Sequence, residues 1–274
     1  MPKSHLKVSL LPCHDRRPHP SDEQIEAAWQ AKLAKATASG GRLFDASKFR
    51  LHRISSGLAA DSVEVEIGLT SYQEYVGTNL LAGEKRAALE ADGERSFGDA
   101  CAHLSNALGC EAVLVTADGY AVLLRRSGAV ATGTGLYNGP SGHAEPSHAK
   151  IPSHAPSDNA DAARAADARA TEELYSAILQ EVHEETNVPL AALSPPLLIG
   201  AMEDSTRKPD LLFLTRTSLD AEGVRAAYAQ GASEGWESSH MAFRPASGLV
   251  GCVDLPLTSV TRAAAACLAM LDEF

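Results

Sequence analysis

Residues Glu173-Leu-Tyr-Ser-Ala-Ile-Leu-Gln-Glu-Val-His-Glu-Glu-Thr-Asn-Val188 decide how the rest of the chain is read. Leu174, Ile178 and Val182 recur at i, i+4 and i+8, the spacing that gives a helix one apolar stripe. Glu181, Glu184 and Glu185 fall in the last turn at i, i+3 and i+4, so their carboxylates project from one side. A helix C-terminus is the negative end of the macrodipole, and each carboxylate placed there costs roughly 0.3–1 kcal/mol. Such a turn is either a solvated acidic face or the seat of a divalent cation that offsets the repulsion.

Working outward, Ala160–Ala170 favours helix and can extend the acidic helix backwards. The Gly-, Pro-, Ser- and His-rich stretch from Gly139 to about Pro156 reads as a loop. Upstream, Ala112–Thr116 and Tyr120–Arg126 flank Asp118-Gly119, the signature of a hairpin closed by a type I′ turn. A helix is expected at about Phe97–Leu108, where Phe97, Cys101, Leu104 and Leu108 hold helical spacing. Nearer the N-terminus, Val8–Leu11, Lys48–Ile54 and Ser62–Ile67 read as strands, and Gly68–Asn79 as a loop with two tyrosines. Ser21-Asp-Glu-Gln24 resembles a capping box opening a helix that Gly40-Gly41 ends. Past the acidic helix, Leu197–Met202 and Leu211–Thr215 read as strands, and Asp220 and Thr258 as helix caps. Strands alternating with helices point to an α/β or α+β protein, with about the first hundred residues as an attached subdomain.

Composition bounds the function. The 274 residues are 45% hydrophobic, enough for a sizeable core, and the net charge of −11 argues against a nucleic-acid binder held by phosphate contacts. Five scattered cysteines without a CxxC argue against a disulfide framework or structural zinc and for a reducing compartment. There is no secretory signature and no run of the eighteen or so apolar residues a membrane span needs, so the expected location is cytoplasmic. Gly133-Thr-Gly135 lacks the strand and helix that a dinucleotide loop requires, and no phosphate-binding GxxxxGK[ST] or GxSxG elbow occurs.

Gly139-Pro-Ser-Gly-His-Ala-Glu-Pro146 and Gln180-Glu-Val-His-Glu-Glu-Thr-Asn-Val188, separated by an insert, together resemble the Nudix box, G-x5-E-x7-R-E-U-x-E-E-x-G-U with U apolar. Gly142, Glu181, Val182, Glu184, Glu185 and Val188 fit that pattern. His148 stands where the first Glu is expected, Gln180 replaces Arg, Asn187 replaces Gly, and residues 149–179 occupy the place of seven. The same departures occur in a UDP-sugar-cleaving subfamily of animals. The blocks Arg16-Arg-Pro18, Lys48-Phe-Arg-Leu-His52, Gly68-Leu-Thr-Ser-Tyr72, Gly77-Thr-Asn79 and Leu124-Arg-Arg-Ser127 are similar to it in the same order, over roughly residues 15–200.

The resemblance implies a Nudix-type α/β/α sandwich around a mixed sheet, residues 105–274 with an insert at about 147–170, and an N-terminal α/β subdomain, residues 1–104, contributing to substrate binding. It implies hydrolysis of UDP-glucose, with UDP-galactose as a second substrate, to UMP and the sugar 1-phosphate. Mg²⁺, or Mn²⁺, would be held by Glu181 and Glu185, with Glu184 as a further ligand or a water-orienting base. Phe44 and Tyr72 would lie against the nucleotide, Arg126 would meet the diphosphate, and Asn138, His143 and Glu145 would line the site. The subfamily has Asp where Asn138 stands. Two other readings keep the fold: a hydrolase of another nucleoside diphosphate conjugate such as ADP-ribose, or a catalytically silent module that binds nucleotide sugars. The expected partner is a small nucleotide sugar, with no nucleic acid and no membrane; the sequence leaves the oligomeric state open.

Overall fold

A computed structural model describes residues 1–38, 43–57, 62–128 and 133–271. Gly40-Gly41, the expected end of the first helix, lies outside them. The N-terminal part comprises β1 (Leu6–Leu10), α1 (Glu23–Ala38), β2 (Ser47–Ser56), β3 (Val63–Ser71), α2 (Tyr72–Gly77) and α3 (Glu84–Phe97). Then follow β4 (Gly109–Val115), β5 (Tyr120–Arg126), β6 (Tyr137–Asn138), β7 (Ser141–His143) and α4 (Ala160–Thr186). The chain continues through β8 (Leu197–Glu203), β9 (Pro209–Arg216), α5 (Ala221–Ala229), β10 (Ser238–Pro245) and α6 (Ser259–Ala269).

The first three strands form a sheet in the order β1-β3-β2, with β1 and β3 parallel. The second sheet has seven strands, five along the path β10-β5-β4-β9-β8 with β6 added on β5 and β7 on β4, and it is mixed because only β4 and β9 run parallel. Its alternating residues serve two cores, as the period of a strand requires. Cys110, Ala112, Leu114, Leu211 and Phe213 face α4, where Leu174, Ile178 and Val182 are each no more than 2% exposed. Val113, Val115, Leu212 and Leu214 face α6 through Ala264, Ala265 and Leu268. The layers are therefore α/β/α. Beyond α4, Leu6, Val8, Leu10, Val65 and Ile67 of the small sheet join the same apolar cluster, and the Asp167 carboxylate accepts the Leu10 N–H at 2.8 Å.

Several local expectations fail for identifiable reasons. Phe97–Leu108 is not a helix. Helix α3 ends at Phe97 because Gly98 turns left-handed (φ 65°) and its N–H closes on the Glu94 carbonyl at 2.9 Å. Leu104 and Leu108 are buried in an irregular segment whose carbonyls need partners. The fully buried Arg50 supplies them, donating to the carbonyls of His14, Cys101 and Leu104. Of the four residues at helical spacing only Leu104 and Leu108 are buried, while Phe97 is exposed, so the spacing there marks no single buried face.

Gly68–Asn79 is not a loop: β3 runs on to Ser71, whose hydroxyl accepts the Glu74 N–H and caps α2, so both tyrosines lie on a helix. The Asp118-Gly119 turn is not type I′ either. Only Gly119 has positive φ (88°), and the Gly119 N–H bonds the Thr116 carbonyl at 2.9 Å while Thr116 N–H bonds Tyr120, a three-residue turn with a glycine bulge. Beyond that turn β4 and β5 register only at Val115 and Ala121, because β6 pairs with β5 and β7 with β4. The hairpin is wedged open by residues 137–143, and the wedge carries the site.

Candidate active site

Residues 141–145 run alongside α4, and alternate backbone N–H groups donate to its glutamates. Ser141 N–H reaches Glu185 Oε2 at 3.3 Å, His143 N–H reaches Glu181 Oε1 at 3.2 Å, and Glu145 N–H reaches Glu173 Oε1 at 3.2 Å. The strand's period of two turns each donor toward the helix. Gly142 lies between the first two, and a Cβ there would fall 1.7 Å from Glu181 Oε1. The carboxylate occupies the space a side chain would fill, so any Cβ here would have to push Glu181 out of position. The helix ends at Asn187, left-handed at φ 59°, with its N–H on the His183 carbonyl at 2.7 Å. That conformation explains the Gly-to-Asn departure, since Asn is the residue that best replaces glycine there.

The acidic turn is mostly withdrawn from water. Burial, with Glu234, Glu184 and Glu237 nearby, pushes the Glu181 carboxyl up to about 8. Burial and the adjacent Glu181 push Glu185 well above the ordinary carboxylate range, opposed by the Ser141 N–H and by Arg126. Glu184 accepts the Gln180 side-chain amide at 2.7 Å. One oxygen each from Glu181, Glu184 and Glu234 lies within 4.8 Å of the others. Glu234 comes from the segment between α5 and β10, docked where its N–H bonds the Glu184 carbonyl at 2.9 Å. Glu185 sits deeper, 5% exposed, and stands outside that trio.

The other expected residues divide into two groups. Arg126 at the end of β5 is electrostatically coupled to Glu185 and to Glu237, whose own carboxyl is raised by burial. Asn138 is buried and donates to Ser141 Oγ at 2.8 Å, so it supports the strand that holds Glu185. His143 is kept neutral by burial and by Lys208 and Lys48, and its Nε2 has no hydrogen-bond partner among the described residues. These gather around the acidic turn.

Glu145 lies farther along α4, level with Glu173, about 12 Å from Glu181 at the rise of a helix. It pairs with the buried Lys48 of β2, which ties the small sheet to the site, and accepts the Ser147 hydroxyl at 3.1 Å. Tyr72 packs edge-on against Trp29 with ring centroids 6.1 Å apart, and Lys32 Nζ lies 5.5 Å from its ring. Phe44 is 72% exposed. Among the described residues, the ring contacts of Tyr72 are with Trp29, Tyr75 and Lys32 and not with groups of the acidic turn. His148, in the position of the missing Glu, lies 3.5 Å from Glu173.

Sequence reasoning missed Glu234, Glu237 and Lys48. The glutamates lie some fifty residues beyond the acidic helix, in Ser233-Glu-Gly-Trp-Glu237, which matches no spacing rule. Lys48 was in sight within Lys48-Phe-Arg-Leu-His52, but alternation within a strand does not tell a buried ion pair from a surface one.

Uridine diphosphate glucose pyrophosphatase NUDT22 of Homo sapiens is 39% identical over 249 residues, 89% of this chain and 78% of that protein. The protein of the same name from Bos taurus is 38% identical, covering 89% and 82%. Nudix hydrolase 9 of Arabidopsis thaliana is 29% identical over 252 residues, 87% and 77% of the two chains. Among solved structures, the MutT protein of Methanosarcina mazei aligns over 59% of this chain and 91% of its own, at 17% identity and a TM-score of 0.36. No family profile matches the sequence. The chain belongs to the Nudix hydrolases, in the family of the NUDT22 pyrophosphatases. Among its described residues no helix is long and apolar enough to cross a membrane.

Proposed function

We propose that this enzyme hydrolyses the pyrophosphate bond of UDP-sugars, UDP-glucose and UDP-galactose, to UMP and the sugar 1-phosphate in the presence of Mg²⁺. The observation that carries the reading is the trio of carboxylate oxygens from Glu181, Glu184 and Glu234, all within 4.8 Å of one another. Three hard oxygen donors fit Mg²⁺ in kind, and the Gly142 cradle that holds the Glu181 carboxylate in place supports the fit. Glu181, Glu184 and Glu234 would hold the ion, with Glu185 completing the acidic set behind Glu181. Bound there, Mg²⁺ would neutralise phosphate charge and make water a better nucleophile.

The chain's own groups do the positioning. Arg126 would offer a forked donor to a phosphate oxygen, and the neutral His143 would line the site with its Nε2 buried. Residues 1–104 serve as a substrate-binding subdomain in this reading, with Tyr72 and Phe44 toward the uridine and Lys48–Glu145 bridging to the catalytic half. The names of the relatives support uridine as the base.

The test is direct. Purified protein is mixed with UDP-glucose and Mg²⁺ and release of UMP is followed, with UDP-galactose and ADP-ribose in parallel. Turnover of the UDP-sugars that stops on chelation is the expected result. Absence of any UDP-sugar cleavage, with or without cleavage of ADP-ribose, removes the proposal.

A further inference from the structure

The chain has two tryptophans, and they are used differently. Trp29 is 7% exposed and packs edge-on against Tyr72. Trp236 is 58% exposed. Among the described residues its ring meets no other ring and its Nε1–H meets no acceptor. A buried indole is a stabilising element, whereas one left facing water at the rim of a site offers a flat apolar surface with a polar edge to a ligand.

Its surroundings tell which site. Trp236 lies in the short 3-10 turn Gly235–Glu237, between Glu234, whose carboxylate meets those of Glu181 and Glu184, and Glu237, which faces Arg126. The turn is fixed at both ends. Glu234 N–H bonds the Glu184 carbonyl at 2.9 Å, while Ser127 donates its N–H to the Glu237 carbonyl at 2.7 Å and its hydroxyl to the Trp236 carbonyl at 2.8 Å. The backbone under the indole is thus bolted to the last turn of α4 and to the end of β5. The backbone that carries the ring is held fast, two residues from Glu234 of the acidic trio.

A nucleotide sugar is long, with the pyrophosphate between two rings, so a site that cleaves the middle has both ends to hold. Along α4 the contacts spread in opposite directions from Glu181. Toward its N-terminal side lie Glu173, Glu145 and Lys48 of the small sheet, and α2 with Tyr72 directly follows β3 of that sheet. Toward its C-terminal side lie Glu184, Glu234 and Trp236. The face of a pyranose ring bears axial C–H groups that pack on an indole, while its hydroxyls need polar neighbours. Ser233, Glu234 and Glu237 are close to Trp236 in sequence, and the Ser127 hydroxyl bonds the Trp236 carbonyl, so polar groups stand near the turn that carries the indole.

We infer that Trp236 is the platform for the hexose of the nucleotide sugar, and that it sets selectivity at the sugar end. This rests on the reading under Proposed function. The test compares wild type, Trp236→Ala and Trp236→Phe on UDP-glucose and on the methyl ester of UDP, which keeps the nucleotide and pyrophosphate but has no hexose. Trp236→Ala should raise KM for UDP-glucose roughly tenfold to hundredfold with kcat within about twofold, and leave the methyl ester unaffected. Trp236→Phe should recover most of the loss. Equal loss on both substrates would assign the ring to the base or to the fold, and no loss on either would remove its role; both overturn the inference.

A second readout does not depend on turnover. The part of the tryptophan emission that is absent from Trp236→Phe should change on adding UDP-glucose and not on adding UMP, while an equal response to UMP overturns the assignment. A wild type that releases no UMP but shows the UDP-glucose-specific change would sink the hydrolytic reading and leave the hexose platform standing.

Discussion

Glu111 offers the sharpest test of the electrostatics beneath the site. It lies in β4, 2% exposed, beside Thr261 of α6, and takes the Gly139 N–H at 3.4 Å. Burial pushes its carboxyl from the ordinary 4.5 up to about 8, with the hydrogen bond from Thr261 opposing. The folded chain therefore keeps a proton that the unfolded chain releases above about pH 4.5. Stability from this residue is present in full below that pH and falls as pH rises, by about 1.4 kcal/mol per unit until the folded carboxyl itself ionises. Between pH 4.5 and 7 the loss comes to about 3 kcal/mol. Glu111→Gln keeps the size and the hydrogen-bonding amide but has no proton to lose. Urea unfolding of both proteins at pH 5, 6, 7 and 8 isolates the effect, because the other titrating groups are common to both and cancel in the difference. The variant should gain on wild type by about 1.4 kcal/mol per pH unit across the window. Parallel stability curves would refute the account, since they would mean that Glu111 is charged or hydrated in the native state.

Three more outcomes follow from the geometry. Gly142→Ala would place a Cβ 1.7 Å from Glu181 Oε1, so turnover of UDP-glucose should fall by about two orders of magnitude while circular dichroism is unchanged. Glu234→Gln removes one charge from the oxygen trio and should raise the Mg²⁺ concentration for half-maximal activity about tenfold or more, with little effect on KM; an unshifted Mg²⁺ titration would exclude Glu234 as a ligand. Asp220 caps α5 by accepting the Gly223 N–H at 2.8 Å, and Asp220→Ala should cost about 1 kcal/mol in urea unfolding.

The acidic helix, its apolar stripe, most of the strands and the caps at Asp220 and Thr258 were legible from residues alone, because each depends on spacing within one element. So was the family, since separated blocks in a fixed order carry more information than any single motif. Other features were decided only by the folded chain. The wedge of residues 137–143 that opens the β4–β5 hairpin depends on pairings between distant segments. The same is true of the buried Arg50 that satisfies an irregular stretch misread as helix, and of Glu234 arriving beside Glu184 from the far side of α5. Spacing reports which side of its own element a residue faces. It says nothing of which other element comes to meet that side, so three glutamates on one helical turn were legible as a motif, while the fourth carboxylate and the exposed indole beside it became visible only in three dimensions.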